Sequence, residues 1–187
     1  MLTVVLTDTQ ANPRSIGDVL SDIEIKLNGT SQGTASLTSQ MGSLIDVPKA
    51  GPGTTVSGSP TAWTATTSGG QIVLTALSGG ITEDMIIGPP GTGYNNTNGS
   101  IGNFNPYINQ TGTFVISDSV VTSSTTIAGV TFGFGNGPDT SLRGVACNAG
   151  SSGCVNDPPP AVPEPGALAV IGSALVGFGI ARRRKSV

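Results

Sequence analysis

The segment Asp22-Ile23-Glu24-Ile25-Lys26-Leu27 alternates polar and apolar residues without a break. Successive side chains of an extended chain point to opposite faces, so Ile23, Ile25 and Leu27 share one face, and Asn28-Gly29 then supplies a turn. Comparable runs predict strands at Leu2–Thr7, Ala35–Gln40, Thr61–Thr67, Gln71–Leu77, Gly112–Ser117 and Gly129–Phe134. Clusters at Gly51-Pro52-Gly53, Gly69-Gly70, Gly79-Gly80, Gly88–Gly93 and Asn95–Gly99 punctuate them. Ser15 to Asp18, placed before Val19-Leu20, predicts one capped helical turn. Short strands in this rhythm predict an all-β body over residues 1–145, an antiparallel two-sheet sandwich that is jelly-roll-like.

The pattern changes near the C-terminus. A Cys-bracketed loop (146–157) leads into residues 158–165, where five prolines in eight positions exclude helix and interior strand and leave an extended stalk. Gly166 to Ala181 then runs sixteen residues without a charge. As a helix it spans about 24 Å, a little short of the hydrocarbon core, and it is expected to cross the membrane. The tail at 182–187 carries Arg182, Arg183, Arg184 and Lys185, which snorkel toward the headgroups and stay on the cytoplasmic side. The remainder of the chain is thereby expected on the opposite side.

Composition narrows the body's chemistry. Among 187 residues, 28 Gly, 13 Pro and 43 Ser plus Thr disfavour a helical bundle. Residues 1–160 hold ten acids against Arg14, Lys26, Lys49 and Arg143, a balance that argues against nucleic acid as a partner. The chain has no His, so triads and metal sites built on imidazole are excluded. No cofactor and no metal site is expected.

The order of the three C-terminal parts is the specific signal. Val162-Pro163-Glu164-Pro165, an apolar segment with scattered Gly, and a terminal R-R-R-K together closely resemble the PEP-CTERM sorting signal of Gram-negative bacteria. The resemblance covers about residues 162–185. It implies an exosortase, a membrane-embedded cysteine transpeptidase-like enzyme, as the processing partner, with Pro163, Glu164 and Pro165 as its recognition element. It further implies transient anchoring in the inner membrane, removal or exchange of everything after the motif, and delivery to the cell surface or exopolysaccharide matrix. The body, from Ile86-Ile87-Gly88-Pro89-Pro90 through Val130–Gly135, is loosely similar to bodies of such proteins, and no activity attaches to that similarity. Members of this family carry an N-terminal secretory signal. The opening MLTVVLTDTQANPRS lacks a basic n-region and reads as a strand, so a leader is expected to be missing from this chain.

Several residues invite a chemical reading. Cys147 and Cys154, the only cysteines, are expected to pair as a local disulfide in an oxidising compartment. Trp63, Tyr94 and Tyr107 are candidate stacking rings for sugar, with Asn95, Asn96, Asn103 and Asn105 as neighbouring hydrogen-bonding groups. Glu83-Asp84 reads as a solvated turn, and a hydrolytic pair would need the fold to join distant acids such as Asp46 and Asp139. The glycines at 91–93 and 133–137 lack the helix and Lys that phosphate cradling requires. The sequence therefore predicts an exported structural or adhesive protein without catalysis. The alternatives are a carbohydrate-binding module for exopolysaccharide and, behind it, a carboxylate-based glycoside hydrolase.

Overall fold

A computed structural model of the chain describes residues 1–28, 33–78, 82–91, 93–94, 99–137 and 140–144. Twelve strands follow in chain order: β1 (Leu2–Thr7), β2 (Leu20–Leu27), β3 (Ser36–Met41), β4 (Leu44–Asp46), β5 (Thr54–Val56), β6 (Thr64–Ser68), β7 (Gln71–Thr75), β8 (Ile86–Ile87), β9 (Tyr107–Asn109), β10 (Thr111–Ser117), β11 (Ile127–Phe134) and β12 (Thr140–Gly144). Two 3-10 turns stand at Ile16–Asp18 and Ile101–Phe104. The first is the predicted capped turn. The Asp18 carboxylate accepts N–H bonds from Arg14 (2.7 Å) and Ser15 (2.9 Å), satisfying donors that a short turn leaves open.

The strands form two sheets. The smaller has the order β1-β10-β3 and is antiparallel throughout. In the larger, β2 is the hub: β11 lies along one edge, while β7 and, at Leu20, the short β8 share the other. From there the sheet runs outward on one side to β12 and on the other through β9 and β4 to β5, with β6 paired on β7. One detail departs from the all-antiparallel expectation. β8 and β9 run parallel, with Ile86 beside Ile108, because the chain between them crosses over through the second 3-10 turn instead of folding back as a hairpin.

Burial follows the two-residue period. Ile23, Ile25 and Leu27 are buried, as their alternation predicts, and Ile72 and Leu74 of β7 lie against them in register. In the smaller sheet Phe114 and Ile116 are fully buried while the alternate positions are more open. These residues join Ile86, Ile87, Ile101 and Ile108 in one apolar cluster, which explains how a chain with so few aromatics still builds a core. Met1–Ala146 forms one compact unit. The second unit, Cys147–Val187, lies outside the described residues, as do the predicted Cys loop, stalk, membrane helix and basic tail. No helix among the described residues is long and apolar enough to cross a membrane.

Candidate functional site

The three rings offered for sugar stacking are interior. Trp63 is 2% exposed, and Tyr94 and Tyr107 are fully covered. Trp63 enters β6 with its ring 4.7 Å from that of Phe114 in the other sheet, tilted 45°, and its indole N–H donates to the Asp84 carbonyl oxygen at 2.7 Å. Tyr107 donates its hydroxyl to the Ile101 carbonyl at 2.6 Å, and Tyr94 donates to that of Gly88 at 3.4 Å. Burial pushes both phenols up, Tyr94 to about 12 with the nearby Asp8 charge adding to the effect, so both stay protonated donors. None of these three rings is open to a pyranose, and the stacking assignment for Trp63, Tyr94 and Tyr107 is corrected to core packing. Asn105 has a structural post as well: its amide brackets Val47, accepting from the N–H at 2.7 Å and donating to the carbonyl at 3.0 Å. Asn103 is exposed, while Asn95 and Asn96 lie outside the described residues.

The acids also sit differently from expectation. Asp84 is 4% exposed and not a solvated turn residue. Its carboxylate accepts the N–H groups of Thr61 (2.6 Å) and Ala62 (3.0 Å), fixing the approach to Trp63 from a backbone held at φ +58°. Such local bonding offsets the left-handed conformation, which Asp tolerates better than most residues. Glu83 beside it is exposed, as is Asp46, and Asp139 lies outside the described residues. No group of three or more metal-binding side chains occurs among the described residues.

A polar groove crosses the outer face of the larger sheet. The alternation that buries Ile23, Ile25 and Leu27 turns Asp22, Glu24 and Lys26 outward. Across from them in β11 stand Gly133, Thr131 and Gly129, and beyond these in β12 stand Ser141 and Arg143. Two glycines on that face remove side chains that would otherwise fill the space. A cavity of about 300 Å³ results over Asp22, Glu24, Thr131, Gly133 and Ser141, with Leu77 as its apolar wall. A second of about 530 Å³ continues it past Glu24 and Thr131 to Lys26, Gln71, Gly129 and Arg143. Asp22 is held above the usual carboxylate range by burial first and the Glu24 charge second, against a hydrogen bond from the Thr75 hydroxyl. Sequence reasoning passed over this groove because its signal, polar residues two apart on β2 facing Gly129, Thr131 and Gly133 on β11, becomes visible only when the two strands are aligned.

The predicted sorting residues Val162, Pro163, Glu164, Pro165, Arg182, Arg183, Arg184 and Lys185, and the cysteines Cys147 and Cys154, all lie outside the described residues. Here the comparison with known families decides. Residues 161–185 match the PEP-CTERM protein-sorting motif. The chain carries that sorting signal. The match brackets the Pro-Glu-Pro element, the apolar run and the basic cluster together, and leaves the β body outside it. No curated protein and no solved structure matches the chain. Its PEP-CTERM signal implies processing by an exosortase and passage through the membrane toward the cell surface.

Proposed function

We propose that this chain is a surface or extracellular-matrix protein of a Gram-negative bacterium whose β body serves structurally or adhesively and catalyses nothing itself. The observation that carries the reading is the sorting match at residues 161–185, placed behind a folded body. An exosortase recognises Pro163-Glu164-Pro165 while the apolar segment and its cationic end hold the chain in the inner membrane, and processing then frees the body for the surface or an exopolysaccharide matrix. The body suits that destination, being mostly strand with an apolar cluster drawn from both sheets. We further infer that the two sheets face each other as a sandwich, an arrangement supported by the Trp63–Phe114 contact between them.

The test is deletion of Pro163–Pro165 in the native host, followed by fractionation. The variant is expected to accumulate in the inner-membrane fraction at full length. Delivery of unprocessed and processed forms in wild-type proportions to the cell exterior would overturn the sorting role.

A further inference from the structure

From the groove over β2, β11 and β12 we infer a binding site for a neutral polysaccharide strand, an assignment that the sorting signal does not make. The floor is built from the backbone of Gly129 and Gly133, with Thr131 standing between them. The two cavities, about 300 and 530 Å³, fall in the size range of ordinary ligand sites and share Glu24 and Thr131, so that together they follow β2 from Asp22 to Lys26, which suits a chain.

Charge selects the ligand class. Asp22 and Glu24 offer two carboxylates, Lys26 and Arg143 two cations, so the formal sum along the groove is zero. No ion pair joins these four among the described residues. An anionic polymer meets the carboxylates and a cationic one meets Lys26 and Arg143. A neutral polyol suits both, since each hydroxyl donates to a carboxylate or accepts from an ammonium or guanidinium group, and the Thr131 and Ser141 hydroxyls extend the same pattern. A peptide strand is the poorer occupant. β11, β2 and β7 are hydrogen-bonded on both edges and offer no free backbone ladder in the floor of the groove, while the open outer edge of β12 stands at its rim, where an added strand would lie beside the groove and not in it. Leu77 lines the smaller cavity and is the apolar side chain it offers, while Phe132 turns inward to the core. With no aromatic ring lining the groove among the described residues, affinity rests on hydrogen bonds and is weak for each sugar unit, growing with chain length.

The experiment is native gel electrophoresis of the full-length protein in mild detergent, with dextran, glucomannan or galactomannan cast into the gel and polygalacturonate as the anionic comparison. Retardation by at least one neutral polymer is expected. Thr131→Trp, which fills the groove from its exposed side, is expected to abolish it. The pair Asp22→Asn and Glu24→Gln keeps the shapes and removes the charges, and is expected to weaken binding about tenfold. Arg143→Ala, at an exposed position on an edge strand, should weaken it without touching the core. No retardation by any neutral polymer, undiminished retardation of Thr131→Trp, or tighter retention by polygalacturonate would each overturn the assignment. The Pro163–Pro165 deletion should bind like the parent, so failure of sorting and failure of the groove are read separately.

Discussion

At the scale of single residues, Asp8 stands out because its carboxyl is 5% exposed and one oxygen, Oδ2, has no hydrogen-bond partner. Its other oxygen accepts the Gln10 N–H at 2.9 Å. Burial raises its pKa from 3.8 to about 6, partly countered by the Gln10 N–H bond and by the nearby backbone N–H groups of Leu20 and Gly88, with Asp18 adding a small repulsion. The sign follows directly. The folded state holds the proton more tightly than the unfolded state, so Asp8 favours folding fully below pH 3.8 and loses that contribution as pH climbs through about 6. Asp22, also raised, acts in the same direction. Asp18 opposes it: burial works upward, yet the bonds from Arg14 and Ser15 bring its pKa below 3.8, so it matters only in more acidic solution. Wild-type stability is thus expected to fall between pH 4 and pH 7. Asp8→Asn should flatten that slope and stabilise the protein at pH 7.5 by about 1–3 kcal/mol. Urea unfolding at both pH values checks this, and a variant that keeps the wild-type slope would count against Asp8 as the titrating group.

At the scale of elements, the way β1 leaves its sheet depends on Gly88. The chain beyond β1 runs against the exit of β8, with Asn12 N–H donating to the Pro89 carbonyl at 2.9 Å. A Cβ at Gly88 would overlap the Gln10 carbonyl oxygen and approach the Asp8 carboxylate. The obstacle is backbone and cannot swing aside, so Gly88→Ala should destabilise by about 1–3 kcal/mol. Gly129 in β11 has open space where its Cβ would be, and Gly129→Ala should be neutral or slightly stabilising. Denaturant midpoints of the two variants discriminate this account, and equal losses would refute it. The same contrast separates legible from illegible parts of the chain. β2 alternates from Asp22 to Leu27, and β1, β7 and β10 are short apolar runs bounded by Thr, Ser, Gln or Gly, and these local patterns located each of them within one or two residues. β4, β5, β8 and β9 are two or three residues long and exist because a partner strand is beside them, as Ile86 is held by Leu20 and Ile108. Nothing local marks such positions. Trp63 was ambiguous for a related reason: a ring flanked by Thr and Ala suits a surface or a core equally, and only the distant Phe114 and Asp84 decide it.

At the scale of the whole molecule, the charge is divided between body and signal in a way that processing should reveal. The full chain has a formal charge of −3 and an isoelectric point near 4.6. Arg182, Arg183, Arg184 and Lys185 are half of its eight basic residues, and no acid lies beyond Glu164. A cut directly after Pro165 therefore removes four positive charges and no negative ones, taking the formal charge from −3 to −7. The mature protein should focus at a lower pH than its precursor while running at a lower mass. The two shifts belong together, because the apolar run that retains the chain in the membrane and the cations that stop it are adjacent and leave as one piece. The motif's order explains why this end of the molecule was readable from sequence, whereas the groove was not: a sorting signal is recognised as a contiguous string, and a binding surface is assembled from strands far apart in the chain. Isoelectric focusing and intact mass of the extracellular form, set beside the full-length precursor from the Pro163–Pro165 deletion, measure both quantities. A mature form with a lower mass but an unchanged or higher isoelectric point would place the cut elsewhere, with the basic tail retained, and would remove the cationic stop from the account of how this protein is released.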